Sequence, residues 1–321
     1  TLSTSLRGFI DSEIIEGPLL GEFLDVIPET IDDILNMLGS ILDGVEFEIP
    51  LEQLGNPPMT LQFGSSIGQL NFKQHPTEGS LDASLVMSVG TPHAPIQAHS
   101  LGLPQAKAEP IPPFSGVGGV QVAIRQDFIN GVLHALWNAG LMNGSISVKD
   151  FTDAVPLDID VALRPKLPPI VRMAPYNTSC RVDGERCDAV VQIGQFELDG
   201  GLIKMTANIE AGARIMIRDG EVSLKVADAP NITLWLPDGR TDGIIDMVRE
   251  PLIDGVWPMI RDLLGEDGLA IPLPIPSPEE LGLADIAPGL ANASIAIRTF
   301  GRIDVATGYL GLAADVEIAV P

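Results

Sequence analysis

The chain has 321 residues and a formal charge of −24, from 43 acidic against 19 basic side chains, yet its mean hydropathy is +0.25. Acidity of this size argues against nucleic acid as a partner and against electrostatic docking on anionic lipid. No apolar run approaches the roughly 18 uncharged residues of a spanning helix, so a soluble protein is expected, long enough for one large or two ordinary domains.

Residues 8–44 carry helical periodicity. Thr30, with Asp33 three positions on, reads as a cap, and Ile31, Ile34, Leu35, Leu38, Ile41 and Leu42 form an amphipathic stripe ended by Gly44. From Val45 the period becomes two: Val45, Phe47 and Ile49, then Met59, Leu61 and Phe63, then Leu70 and Phe72, then Leu81, Ala83, Leu85 and Met87. A helix followed by antiparallel strands is expected. Between Gly90 and Gly118, Pro92, Pro95, Pro104, Pro110, Pro112 and Pro113 predict a stiff, extended connector.

Gly119 to Arg125 places Val120, Val122 and Ile124 on one face and reads as a strand. Residues 126–140 then read as a helix, capped by Asp127 and ended at Gly140 in a left-handed turn. Phe128, Ile129, Val132, Leu133, Ala135, Leu136 and Trp137 cover more than one narrow stripe, so two sides of this helix want to leave water. Strand, doubly apolar helix and strand in succession suggest a helix wrapped inside a curled sheet, an arrangement that makes an apolar lumen. Val155, Leu157, Ile159, Val161 and Leu163 alternate as a half-buried strand, and further strands are expected at 190–198, 202–217 and 221–226, with Asp219-Gly220 as a turn.

Residues 242–264 form the longest helical segment, about 35 Å at the usual rise. Ile244, Ile245, Val248, Leu252, Ile253, Val256, Ile260, Leu263 and Leu264 give it a wide apolar face, and Pro251 and Pro258 predict kinks that let it follow a curved sheet. The Pro-rich stretch 271–278 precedes closing strands near 293–297 and 312–318.

Cys180 and Cys187 flank Asp183-Gly184, a turn signal that makes a disulfide-closed hairpin geometrically easy. Such a short closure is worth roughly 2.5 kcal/mol in the loop-entropy model. Zinc is disfavoured, because no second cysteine pair or nearby histidines complete four ligands. A disulfide implies an extracytoplasmic home, periplasmic or secreted, and a chain beginning at Thr1 reads as mature or trimmed. Asn143, Asn177, Asn231 and Asn292 each head an Asn-x-Ser/Thr triplet, which only a suitable secretory host would modify.

The order of weak motifs is itself informative. A strand, the helix ending His-Ala-Leu-Trp-Asn-Ala-Gly, another strand, Leu-Pro-Pro-Ile-Val at 167–171 and a long kinked helix follow one another. Gly-Leu-Ala-Ile-Pro-Leu-Pro-Ile-Pro at 268–276 then leads to a final strand with Gly-Tyr-Leu-Gly-Leu-Ala-Ala-Asp-Val. This resembles the carboxy-terminal barrel of the bactericidal/permeability-increasing and lipopolysaccharide-binding protein family, the tubular lipid-binding superfamily. The resemblance covers about 116–321. It implies an α+β fold of long, highly curved antiparallel sheets wrapped around kinked helices. Residues 1–90 would be the later half of an amino-terminal barrel, 91–118 a linker and 119–321 a carboxy-terminal barrel. In that family acyl chains insert between helix and sheet, which carries lipid-lining roles onto Ile129, Val132, Leu133, Leu136 and Trp137, and onto Ile244, Val248, Leu252 and Val256. The cationic tips that serve lipopolysaccharide recognition in host-defence members have no counterpart in this acidic composition.

Other chemistry is weaker. Gly64-Ser65-Ser66-Ile67-Gly68 matches a nucleophile-elbow pattern with Ser66 central, but strand-like residues on both sides favour a hairpin turn, with no way to choose a base among His75, His93, His99 and His134. His93 and His99 lie in the Pro-rich connector, without a helix to fix their spacing for a metal. His134 is expected at the core or lumen edge, bonded to backbone. Asp238 to Gly243 lacks the spacing of a calcium loop and reads as a turn and cap. The composite expectation is a protein without cofactor, metal or catalytic activity that holds a phospholipid, sterol or other aliphatic lipid, with shuttling through transient membrane contact as an extension of that role. The alternative is a lipid-free interaction module of a surface or envelope complex, because a sealed core and a lipid lumen share one sequence signature.

Overall fold

The computed structural model describes residues 45–49, 59–74, 79–92, 100, 102–103, 120–140, 142–147, 160–174, 179–201, 204–218, 221–236, 249, 253–254, 257–264, 271–272 and 294–319. In chain order these form β1 (Val45–Ile49), β2 (Met59–Gln74), β3 (Gly79–Gly90), β4 (Val120–Arg125), α1 (Gln126–Asn138), β5 (Gly144–Ser147), β6 (Asp160–Pro165) and β7 (Ile170–Met173). There follow β8 (Arg181–Val182), β9 (Glu185–Arg186), β10 (Ala189–Asp199), β11 (Lys204–Arg218), β12 (Glu221–Val226) and β13 (Asn231–Trp235). Last come α2 (Trp257–Leu264), β14 (Ile271–Pro272), β15 (Ser294–Ala306) and β16 (Tyr309–Ala319).

The described fold is rich in sheet, and its principal sheet is strongly curled into a half-barrel. That sheet has eight strands, with β14-β12-β11-β10-β6-β5 as its main path. Long β10 and β11 lie antiparallel at its centre. β10 carries β6 and β7 end to end along one edge, and β11 carries β12 and β13 in the same way. Side-chain alternation sets the inner face: Val191, Ile193, Phe196 and Leu198 of β10 are buried with Met205, Ala207, Ile209, Ala211, Ala213 and Ile215 of β11. Alanines at three of these positions suit the concave face, where side chains crowd together.

A bulge bends the centre. Ile193 pairs Ile209 and Phe196 pairs Ala207, so Gly194 and Gln195 together oppose Asn208. Gln195 takes φ +49°, its N–H donates to Asn208 Oδ1 at 2.9 Å, and its carbonyl accepts the Lys166 N–H at 3.1 Å. The disrupted ladder is therefore satisfied from both sides.

Cys180 and Cys187 form a disulfide, with Cα atoms 5.5 Å apart, across the β8–β9 hairpin. Asp183 and Gly184 have φ +51° and +80°, as a tight hairpin of this twist requires. The hairpin lies on the side of β11 away from the buried alanines. A Cβ on Gly212 would stand 2.5 Å from both sulfurs, so only glycine admits the disulfide there. Asp183 pairs with Lys225, and Glu185 with Arg214 at 2.7 Å, pinning the hairpin to β12 and β11.

Two three-stranded antiparallel sheets complete the described elements, β1-β2-β3 and β15-β16-β4. Gly64 to Gly68 runs inside β2, with Ser66 opposite Val86, and a bulge falls between Ile67 and Gln69. The hairpin turn expected there is not formed. β13 was not expected: five residues give only Ile232 and Leu234 as an alternating signal, too little to stand out. The strand expected from Val155 is described from Asp160 onward. Of the long helix expected at 242–264, α2 is described, with Pro258 in its first turn, where a missing N–H is tolerated. Most of its earlier part, all of residues 8–44, and the segment 238–243 lie outside the described residues.

Candidate functional site

The site is built around α1. β4 pairs with β16, Arg125 opposite Tyr309, and runs into the helix without a loop. Asp127 does not cap it: Arg125 occupies the N-cap position without a side-chain cap bond, and the Gln126 N–H donates to the Gly308 carbonyl at 2.9 Å. The β15–β16 turn thus does the capping, a partner no local sequence pattern reveals. At the other end Gly140 takes φ +100°, as expected, and its N–H returns to the Trp137 carbonyl.

Ile129, Val132, Leu133, Leu136 and Trp137 are all buried, Leu133 completely. The first four join one apolar cluster with residues of β2, β6, β7, β10, β11, β12, β13, α2 and β16. Ile244, Val248, Leu252 and Val256 lie outside the described residues. Just beyond them, Trp257 and Ile260 of α2 enter the same cluster, and Trp257 Nε1–H donates to the Ala227 carbonyl at 3.0 Å.

The two sides of α1 are held by different chemistry. Toward β2 and β3 the described contacts are apolar: Phe128 meets Phe63 with ring centroids 6.1 Å apart, and Leu61, Met87 and Val89 pack on the same cluster. Toward β7 the helix supplies acceptors. Gln126 Oε1 accepts the Met173 N–H at 2.8 Å and Asn130 Oδ1 accepts the Val171 N–H at 2.7 Å. One edge of β7 already pairs with β10, so α1 takes the place of the missing strand on the other. The spacing fits, because four residues of helix rise about 6 Å and two residues of strand about 6.7 Å. Farther along, Trp137 Nε1–H donates to the Pro165 carbonyl at 2.8 Å. Gln126 and Asn130 were not singled out from the sequence, yet both are buried. The available signal was two amides four residues apart, on one face of a helix whose broad surface is otherwise mainly apolar.

His134 lies half-buried with its ring 5.6 Å from that of Trp137. Its Nε2 is 2.6 Å from Ser100 Oγ, which also accepts the Gly102 N–H at 3.0 Å. The partner is a serine of the Pro-rich connector, not the backbone group expected. Burial pushes the imidazole pKa below its ordinary value, favouring the neutral ring. Ser66 sits in extended strand, without the strand-to-helix elbow a nucleophile of that motif needs. His75, His93 and His99 lie outside the described residues. Among the described residues, no group of three or more His, Cys, Asp or Glu side chains could hold a metal, and no helix is long and apolar enough to cross a membrane.

No protein-family model and no curated protein matches the sequence. Among solved structures, the chain is similar to the crystal structure of a lipopolysaccharide binding protein, with TM-score 0.35 and 12% identity over 86% of this chain and 56% of that one. It is also similar to P47 of Clostridium botulinum E1, with TM-score 0.31 and 14% identity over 81% of this chain and 64% of that one. The chain spans less than two thirds of either protein, and likeness at these scores assigns no function.

Proposed function

We propose that this protein binds a lipid with one or two aliphatic chains in the seam around α1 and carries it outside the cytosol. The observation that supports this most is a helix buried on two sides, between a curled sheet and the β2–β3 layer, by residues that are almost all apolar. A lipid tail entering such a seam leaves water with a gain of about 25 cal/mol per Å² of apolar surface. Its headgroup would stay at the seam's mouth, and the net acidity of the chain favours a zwitterionic or neutral one. No covalent step is required. The disulfide fits an oxidising compartment. On this reading the chain has a tubular lipid-binding architecture.

Native mass spectrometry of the purified protein, followed by solvent extraction, tests the proposal. A stoichiometric adduct of lipid mass that is lost in Leu133→Trp is the expected result. A protein that stays free of adduct after incubation with mixed liposomes would transfer the reading to a lipid-free interaction module. The complete burial of Leu133 is the observation on that side.

A further inference from the structure

We infer that the lipid is admitted on one side of α1 only, by separation of the β2–β3 layer from the helix at the Phe63–Phe128 contact, while the α1–β7 seam stays shut. The inference rests on the lipid-binding reading above and adds to it the moving wall and the residues that gate it.

What an aliphatic chain can and cannot replace decides between the two sides. On the β7 side, separation would strip Val171 and Met173 of the acceptors provided by Asn130 and Gln126, and would take the Trp137 indole donor from the Pro165 carbonyl. These groups are buried, and a hydrocarbon tail offers none of them a partner. Opening there leaves stranded N–H groups at the end as well as during the motion. On the β2–β3 side, the contacts of Phe63, Leu61, Met87 and Val89 with the helix cluster are apolar. A tail sliding between Phe63 and Phe128 replaces apolar contact with apolar contact, so the opened state loses little. The three bonds on the other side meanwhile hold α1 to the curled sheet as one fixed wall. The asymmetry makes Phe63 and Phe128 the gate and Gln126 and Asn130 the hinge-side latch.

The test uses the full chain and phosphatidylcholine vesicles containing a small fraction of self-quenched fluorescent phosphatidylcholine, with uptake read as dequenching. The chain's two cysteines are bridged to each other, so Phe63→Cys with Phe128→Cys can be joined selectively by a short bis-thiol-reactive linker. Joining the pair is expected to slow uptake roughly tenfold or more, relative to the same variant alkylated without a bridge. Phe63→Ala, which needs no cross-link and leaves the latch intact, is expected to accelerate uptake severalfold. Equal uptake by bridged and unbridged protein would overturn the inference, and so would acceleration by Asn130→Ala as large as that by Phe63→Ala. Lipid uptake that is absent in the unmodified protein would overturn the underlying lipid-binding reading itself, a result distinguishable from a gate on the wrong side.

Discussion

Asn130 shows how much one side chain decides in this protein. Its carboxamide stands in for a strand partner of Val171, and truncation leaves a buried N–H without an acceptor. Asn130→Ala is expected to cost about 1–3 kcal/mol in urea unfolding. The Val171 amide should also exchange faster with solvent while the amides of β10 keep their protection, a local change that a general loosening of the core would not produce. His134 sets a pH dependence. Its folded-state pKa lies below its ordinary value near 6.5 because burial penalises the charged ring. The unfolded chain therefore binds the proton more readily, and stability falls as pH drops below about 6.5 until the folded pKa is passed. Urea midpoints measured across this range should show that slope, and His134→Gln should flatten it.

At the scale of elements, the disulfide hairpin and the strand beneath it are a fitted pair. Gly212 has no side chain because both sulfurs occupy the space a Cβ would need. Gly212→Ala is expected to cost about 1–3 kcal/mol by overpacking. Replacing both cysteines by alanine should cost roughly 2.5 kcal/mol. In that background the added cost of Gly212→Ala should shrink to about 0.5 kcal/mol, because the atoms it strikes are gone. A full penalty retained in the triple variant would mean that backbone strain, not the sulfur contact, fixes glycine at this position. The hairpin's turn and pairing were legible in Cys180, Asp183, Gly184 and Cys187. Its docking site was not, since Gly212 lies in another strand and carries no local signal.

At the scale of the whole molecule, one apolar cluster joins Leu61 and Phe63 of β2 with α1, the curled sheet, α2 and β16. A lipid held in that cluster would stabilise all of it together. Protein purified with its lipid and then stripped by solvent or detergent exchange is expected to melt several degrees lower and to recover on reloading, since a ligand at a hundredfold excess over its Kd contributes roughly 2.7 kcal/mol. Identical melting of loaded and stripped protein would count against a lipid in the core.

Period-two alternation by itself determined the positions of β3, β10, β11 and β12, and the breadth of the apolar surface at 126–140 determined that α1 would be buried on more than one side. Both follow from local geometry, which writes burial into the sequence as a repeat. Tertiary structure alone decided what covers each side: Val171 and Met173 as donors to Asn130 and Gln126, Gly308 as the cap acceptor for Gln126, and Ser100 as the partner of His134. These partners lie between 34 and 182 positions away, and hydrogen bonding between distant segments leaves no period to read. For Ser66 the glycines suggested a turn, and pairing with β3 kept the segment extended, because a ladder of backbone bonds outweighs the local freedom of two glycines.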